Sequence, residues 1–201
     1  MLTSGFHDVP NGQIAAVVTH LEMTTPQPNL TADFPATVTA THERLSVVDY
    51  RTLFRAIGED WLWVSRLKVS DIDLAAILTD PDVETWVIRE NETPIGLVEI
   101  DFREAPDCEL AFFGLVPAAT GKGLGSAMMA LAQTRAFSRP INKFTVHTCT
   151  LDSPHALAFY QRHGFKAVKR CVELFDDPRG SLFAETAAPH LPLIRKQSDD
   201  G

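Results

Sequence analysis

From Cys108 to Met128 the chain reads CELAFFGLVPAATGKGLGSAM. Its first ten residues are an apolar and aromatic run with one carboxylate, which is typical of a buried strand, and Pro117 cannot donate a hydrogen bond to a neighbouring strand. Apolar side chains then recur at helical spacing as far as Phe137, after three glycines at alternate positions. The pattern predicts a strand that ends at Pro117, a glycine-rich turn and a helix.

The glycine-rich turn, residues 120–125, is a candidate anion site. Glycine at every second position leaves the first-turn N–H groups of the helix uncovered, and these groups have no intrahelical partners and lie at the positive end of the helix dipole. Phosphate is the anion that such a helix start binds most plausibly. Glycines placed only for close packing are the alternative interpretation.

Two common phosphate-binding motifs do not fit this turn. A P-loop requires a glycine where Val116 stands and a serine or threonine where Gly123 stands. A dinucleotide-binding motif requires a third glycine where Ser126 stands and an acidic residue about twenty positions later, where the chain reads INKF at 141–144. A nucleotide-binding module is therefore disfavoured.

The composition limits the class of protein. A chain of 201 residues with 45% apolar residues is typical of one soluble globular domain. A net charge of −8, without a cluster of Lys or Arg, argues against nucleic acid as a partner and is compatible with a cationic substrate.

Three cysteines, Cys108, Cys149 and Cys171, lie in apolar runs without CxxC spacing, so we expect no disulfide framework and no metal site. The first eight residues lack the features of a signal peptide, and no apolar run approaches the length of a membrane span. The sequence therefore predicts a cytoplasmic protein that does not insert into a membrane.

Apolar periodicity predicts the other elements. Helices are expected from the N-cap Ser46 to Gly58, from Ser70 to Asp80, and from Ser153-Pro154 to the closing Gly164. Besides the strand that ends at Pro117, strands are expected at 13–23, 38–41, 83–89, 95–102, 144–150 and 166–175. Because a helix connects the strand that ends at Pro117 to the strand at 144–150, these two strands are expected to be parallel.

The order of these elements, with two motifs, resembles the GCN5-related N-acetyltransferase (GNAT) superfamily. Val116-Pro117 followed by TGKGLG at 120–125 is similar to the family's (Arg/Gln)-Gly-x-Gly-x-(Gly/Ala) loop. SPHALAFYQRHGF at 153–165 resembles its Asn-x-x-Ala…Tyr-x-x-x-Gly-Phe helix. Thr120 and Ser153 depart from the two motifs, which leaves the backbone of the turn as the expected phosphate-binding group.

The resemblance implies a single-domain α/β fold of the α+β type. Its mixed sheet is mostly antiparallel, with one central parallel pair splayed apart and helices on both faces. The acetyltransferase domain would cover residues 38–175. Gly114 stands where the family has a β-bulge, and a glycine placed for packing is the alternative. Two segments lie outside the resemblance and are described from their own residues. Residues 1–37 would be an N-terminal strand and proline-rich loop packed on the domain. Residues 176–201 would form an irregular arm, with a disordered end at 198–201.

The resemblance also implies acetyl-CoA as the acyl donor. Its pyrophosphate would bind the turn and the start of the helix. Its pantetheine arm would pair with the backbone of Leu115 and Val116 in the manner of an added strand. The residues expected to bind pyrophosphate are Gly121, Lys122, Gly123, Leu124, Gly125 and Ser126.

Two residues are catalytic candidates for direct transfer to an amine. An alkyl ammonium has a pKa of about 10.4, so only about one molecule in a thousand is neutral at pH 7 and a base is useful. Glu109 matches the glutamate base of some family members, and a solvated residue at the strand end is the alternative. Tyr160 matches the family's tyrosine that protonates the leaving thiolate, and a tyrosine that caps the core is the alternative.

Four residues are candidates for acceptor binding. Trp61, Trp63 and Arg66 lie between two predicted helices, where they would line a substrate mouth or pack beneath the loop. His147 on the parallel strand would reach the acceptor or be structural. The expected acceptor is a primary amine of a small molecule or peptide. Dimers are common among family members, so a homodimer is expected from the resemblance alone. A non-catalytic acyl-CoA-binding sensor is the alternative function.

Overall fold

The computed structural model describes residues 3–196. Its strands and helices, numbered in chain order, are β1 (Gln13–Met23), β2 (Val38–His42), α1 (Val47–Gly58), α2 (Ser65–Lys68), α3 (Asp71–Thr79), β3 (Val83–Glu90), β4 (Thr93–Asp101), β5 (Asp107–Leu115), α4 (Leu124–Ala136), β6 (Lys143–Cys149), α5 (Ala156–Arg162) and β7 (Lys166–Asp176). The predicted strands and helices are confirmed, and α2 is an additional short helix. No helix in the described part of the chain has the length and apolarity needed to cross a membrane.

The strands form one sheet in the order β2-β3-β4-β5-β6-β1-β7. Only β5 and β6 are parallel, and all other neighbours are antiparallel. The parallel pairing is short: it runs from Asp107 opposite Lys143 to Glu109 opposite Thr145. Beyond Glu109 the two strands separate. The predicted mixed sheet with a splayed parallel pair is therefore confirmed.

The first strand does not pack on the sheet from outside. The sequence predicts residues 1–37 as a strand and a proline-rich loop packed on the domain, and in the structure β1 lies between β6 and β7 and pairs with both. Residues 13–23 are therefore part of the same sheet as the rest of the fold.

Helices cover both faces of the sheet, as predicted. On one face, which we call the α4/α5 face, Met128 and Met129 of α4 pack with Phe144, Val146 and other strand residues. On the opposite α1/α3 face, Tyr50 and Phe54 of α1 pack with Leu74 of α3 and with β3 and β4. Because α1 and α3 contact mainly β3, β4 and β5, the α1/α3 face is less covered over β6, β1 and β7.

The last helix begins later than predicted. It starts at Ala156 with His155 as its N-cap, so Ser153 and Pro154 lie in the preceding turn. Its end agrees with the prediction, because Gly164 has a φ of +92° and the Phe165 N–H donates to the Tyr160 carbonyl at 3.1 Å. This is the closing hydrogen bond of a glycine-terminated helix.

The segment after β7 is irregular and packs on the domain. Phe183, Ala187 and Ala188 are buried against Leu62, which follows α1. The Arg55 Nη1 donates to the Leu182 carbonyl at 2.6 Å. The predicted disordered end at 198–201 lies outside the described residues.

Candidate active site

The splayed strands β5 and β6 form a gap, and β5 carries a bulge beside it. Glu99 of β4 lies opposite Phe112, whereas the next residue, Ile100, lies opposite Leu110. Ala111 is therefore the extra residue of a β-bulge. The prediction of a bulge at Gly114 is wrong by three residues.

Gly114 has a different structural reason. A Cβ atom added at this position would lie 2.5 Å from Cγ2 of Ile57 and 3.1 Å from Cη2 of Trp63. The glycine therefore lets α1 and the Trp63 ring approach the strand, which is the close-packing role of glycine in strands.

Beside the gap, β5 leaves backbone groups unused by β4. The Val116 N–H donates to the Ile95 carbonyl at 2.9 Å, and the Val116 carbonyl accepts from the Ala119 N–H at 2.9 Å. Antiparallel strands alternate between residues that bond to the neighbour and residues that face away. Phe113 and Leu115 are therefore the residues whose backbone groups face the gap. The backbone of Leu115, a predicted partner of the pantetheine arm, therefore faces the gap. The backbone of Val116, the other predicted partner, bonds to Ile95 and Ala119 instead.

The glycine-rich turn has the geometry of an anion cradle. Gly121 and Gly123 have φ values of +76° and +82°, and Gly123 is the N-cap of α4 without a side-chain cap. A Cβ atom at either glycine would meet no atom within 4 Å. Within residues 3–196, the N–H groups of residues 121–126 have no hydrogen-bond acceptor. Six amides, including those of Lys122, Leu124, Gly125 and Ser126, are therefore available to a ligand.

Side chains around the turn add to this environment. Ser126 Oγ lies 3.2 Å from His163 Nε2, and His163 Nδ1 lies 2.8 Å from the Phe159 carbonyl oxygen. Lys122 is half exposed and pairs loosely with Glu90, at 3.6 Å between Nζ and Oε2. The cradle thus has the Lys122 ammonium and the Ser126 hydroxyl at its rim. Its amides are available although Thr120 stands where the family's motif has Arg or Gln.

Tyr160 lies on the α4/α5 face beside the gap. Its ring packs against Phe113, with ring centres 6.3 Å apart, and against Phe159 and Phe165. Burial, and next the charge of Asp152, raise the pKa of the Tyr160 phenol far above its usual value. The hydroxyl therefore stays protonated at any working pH and can serve as a hydrogen-bond donor.

Glu109 and His147 meet on the α1/α3 face at the point where β5 and β6 separate. His147 Nδ1 lies 3.1 Å from Glu109 Oε1. The hydrogen bond to Glu109 is the largest contribution that raises the pKa of His147, and burial opposes it. Both side chains line a cavity of about 220 Å³, together with His20, Glu22, Lys143 and Thr145. Glu109 and His147 therefore lie in contact in the structure, although the sequence analysis proposes them for separate roles.

Trp63 lies over the gap on the same face. Its indole N–H donates to Asp152 Oδ1 at 3.2 Å, and its ring packs against Phe112 and Phe54. The other Asp152 oxygen accepts from the Thr148 hydroxyl at 2.7 Å. Trp63 thus connects the α1–α2 segment to the end of β6, and Asp152 is a residue that the sequence analysis did not single out.

Trp61 and Arg66 have different partners from Trp63, except that Arg66 and Trp63 both pack against Phe112. The Trp61 ring faces His190 of the C-terminal segment, with ring centres 6.1 Å apart. The Arg66 guanidinium packs over Phe112 and donates to Glu99 Oε1 at 2.6 Å, with 13% of its side chain exposed. Arg66 is therefore turned mainly into the protein, and its contact with an acceptor stays a prediction.

The described residues contain no group of three His, Cys, Asp or Glu side chains placed to hold a metal ion. The gap is lined by acid–base groups instead: Tyr160 on one face of the sheet and the Glu109–His147 pair on the other.

Residues 50–165 match the model of the Acetyltransferase (GNAT) family. This match covers more than half of the chain, and the chain belongs to this family. The resemblance stated from its two motifs is confirmed.

A relative of 28% identity matches part of the chain. Uncharacterized protein YxbD from Bacillus subtilis is 28% identical over 108 residues, which cover 54% of this chain and 62% of YxbD. The chain therefore matches less than two thirds of that relative.

Solved structures share the fold. A GCN5-related N-acetyltransferase from Kribbella flavida has a TM-score of 0.54 at 21% identity, covering 85% of this chain and 62% of its own. A functionally unknown conserved protein from Staphylococcus epidermidis has a TM-score of 0.61 at 18% identity, covering 83% and 64%. PaiA N-acetyltransferase from Thermoplasma acidophilum, in complex with coenzyme A, has a TM-score of 0.52 at 19% identity, covering 69% and 99%.

Proposed function

We propose that the protein is an acetyl-CoA-dependent N-acetyltransferase that transfers the acetyl group directly to a primary amine of a small molecule or peptide. The observation that carries this proposal is the pairing of two features: six unpartnered amides at the start of α4 and the gap between β5 and β6. Family membership supports acyl transfer as the reaction class. The coenzyme A complex of the Thermoplasma relative supports a coenzyme A thioester as donor.

The amides of residues 121–126 would bind the donor's pyrophosphate. The backbone of Phe113 and Leu115 would pair with its amide-containing arm, as an added strand pairs with a sheet edge. This arrangement directs the thioester toward Tyr160, which packs against Phe113. The acceptor amine would then approach from the α1/α3 face, where Glu109 and His147 lie.

In the transfer step, the amine nitrogen forms a bond to the thioester carbonyl carbon, and the carbon–sulfur bond breaks. Glu109 accepts the proton of the ammonium group before attack. Because imidazole is a stronger base than a carboxylate, His147 is the better resting place for that proton before its release to solvent. Tyr160 donates its proton to the leaving thiolate and is reprotonated from solvent, and the attacking nitrogen releases its second proton to solvent as the amide forms.

A thiol-release assay with acetyl-CoA and a panel of primary amines tests the proposal. We expect turnover with at least one amine. Titration calorimetry should detect binding of acetyl-CoA and not of ATP or NAD. If the donor binds and no amine releases thiol, the chain is the non-catalytic acyl-CoA sensor. Binding of ATP or NAD in preference to acetyl-CoA would contradict the proposed donor site.

Gly123→Ala should weaken acetyl-CoA binding by about tenfold or more, which corresponds to about 1.4 kcal/mol. Gly123 has a φ of +82°, and an added Cβ would project into the open cradle that the amides surround. Calorimetric Kd values provide the measurement. Gly180→Ala is the matched control, because Gly180 has the same φ of +82° far along the chain in the C-terminal segment. Equal donor affinity in the two variants would argue against the cradle.

Tyr160→Phe should lower kcat about tenfold or more through loss of the acid. The phenylalanine ring keeps the packing against Phe113 and Phe165, so donor affinity should remain within about twofold. Steady-state thiol release at saturating substrates gives kcat, and calorimetry gives the donor Kd. A kcat equal to that of the unmodified protein would exclude Tyr160 as the proton donor.

A further inference from the structure

Strand β7 presents a long open edge. It is the last strand of the sheet and pairs only with β1. Residues 166–174 are all exposed, and within residues 3–196 no residue pairs with the outer edge of β7. The free N–H and C=O groups of such an edge can pair with a strand of another chain.

Some apolar side chains of β7 and of its neighbour β1 are also exposed. Val172 and Leu174 expose 51% and 50% of their surface, and Val17, opposite Val172 on β1, exposes 41%. Exposed apolar side chains that are neighbours on one sheet form a patch, and such patches often mark interaction surfaces.

The charges of β7 are ordered along the strand. Its first half carries Lys166, Lys169 and Arg170, and its second half carries Glu173 and Asp176. A second copy of β7 running antiparallel would therefore bring the basic half of one strand against the acidic half of the other. Opposite charges in directly opposed cross-strand positions are favourable, and like charges are unfavourable.

This order selects one register. Side chains alternate between the two faces of a sheet. When a two-fold axis relates two antiparallel copies of β7, directly opposed residues must point to the same face. The register can therefore change only in steps of two residues. Centring on Cys171 places Lys169 of each copy opposite Glu173 of the other. Centring on Arg170 instead would oppose two arginines, and centring on Val172 would place Glu173 opposite Cys171.

We propose that the protein forms a homodimer in which two β7 strands pair antiparallel around Cys171, joining the two sheets. The regular part of the pairing covers residues 169–173, because β7 bulges at Val168, where the register with β1 skips from Lys169 to Ala167. Edge lysines usually prevent strand pairing. Here each Lys169 lies opposite Glu173 of the other copy only when the pairing is centred on Cys171. The lysines therefore disfavour the other registers and do not prevent pairing in this one. The dimer does not require the proposed enzymatic activity, but Lys169 also lines the cavity that contains Glu109 and His147.

Sedimentation equilibrium of the full chain should give twice the monomer mass of 22.2 kDa. Lys169→Glu and Glu173→Lys, each alone, should weaken dimerisation about tenfold, since each creates two like-charged pairs. An equimolar mixture of the two variants should restore the dimer, because positions 169 and 173 then carry opposite charges in both cross-strand pairs of the mixed dimer. Arg44→Glu, the same charge change near β2 at the opposite edge, should have no effect.

Mild oxidation by diamide provides a second measurement. Directly opposite residues of antiparallel strands have Cα atoms about 4.5–5.5 Å apart, within the range that a disulfide spans. Cys171 is exposed, whereas Cys108 is buried and Cys149 is partly buried. We expect a covalent dimer that Cys171→Ser abolishes. A monomer at all concentrations, or a dimer indifferent to both charge reversals, would overturn the proposal, as would purification with a different chain paired on this edge.

Discussion

Glu109→Gln should lower kcat by about 10²- to 10⁴-fold, the range for removal of a positioned acid–base group. Glutamine has nearly the same shape as glutamate and retains an oxygen 3.1 Å from His147 Nδ1, but it cannot accept the proton of an ammonium group. Thiol release at saturating amine and acetyl-CoA gives kcat. Donor affinity should not change, because the amides of the glycine-rich turn do not involve Glu109.

The control for this substitution lies in the same cavity. Glu22 on β1 lines the cavity that contains Glu109 and His147, and its carboxylate lies 3.9 Å from Lys143 Nζ. Glu22→Gln therefore removes the same charge from the same surroundings without removing the proposed base. We expect its kcat to stay within about twofold of the unmodified protein. A comparable loss in both variants would mean that the cavity requires negative charge and not a base at Glu109.

The pH profile separates catalysis from positioning. Glu109 raises the pKa of His147, so the imidazole stays protonated to a pH above 6.5. A proton can pass from Glu109 to His147 only when the imidazole is neutral, so activity should rise as the pH increases through this raised pKa. In Glu109→Gln the carboxylate is absent and the pKa of His147 should fall. The residual activity should then reach its plateau at lower pH. Superimposable profiles would contradict the coupling of the two residues.

Features coded by one contiguous segment could be predicted from the sequence. The glycines at 120–125 predict the turn, and two of them adopt the positive φ that favours glycine. Tyr160 and Glu109 are candidates because the motif at 153–165 and the strand before the turn resemble those of the family, and their catalytic roles stay predictions.

Features that depend on the partner of a strand could not be predicted. The alternation of β1 indicates a strand but does not say that it lies between β6 and β7. The bulge at Ala111 arises from the register between β5 and β4, and no residue type marks it. Gly114 was misassigned because a glycine in a strand fits both a bulge and a close helix approach.

Contacts between residues far apart in the sequence also could not be predicted. Asp152 directly precedes Ser153-Pro154, so its position predicts a turn residue, yet its bond to the Trp63 indole joins residues 89 positions apart. Glu99 is another example, because its sequence neighbours do not show which residues surround its carboxylate. In the structure it is fully buried, where it accepts hydrogen bonds from Tyr50 and Arg66.

Arg66→Met should destabilise the protein by about 3–5 kcal/mol, the cost of leaving a buried charge without its partner. Glu99 has no exposed surface, and Arg66 Nη2 at 2.6 Å is its only cationic partner within residues 3–196. The Tyr50 hydroxyl, whose own pKa is raised by burial and by Glu99, would remain as the only donor to the carboxylate. Urea unfolding followed by circular dichroism measures the free energy of unfolding.

Two further variants decide whether the loss comes from the unpaired charge. Arg103→Met removes an arginine that is 36% exposed and paired with Asp101, and it should cost about 0–1 kcal/mol. Arg66→Met with Glu99→Leu removes both buried charges, and it should recover about half of the loss, leaving about 1–3 kcal/mol for the Tyr50 hydroxyl without an acceptor. If the double variant were no more stable than Arg66→Met, the packing of Arg66 over Phe112 would be the stabilising contact, and the ion pair would contribute little.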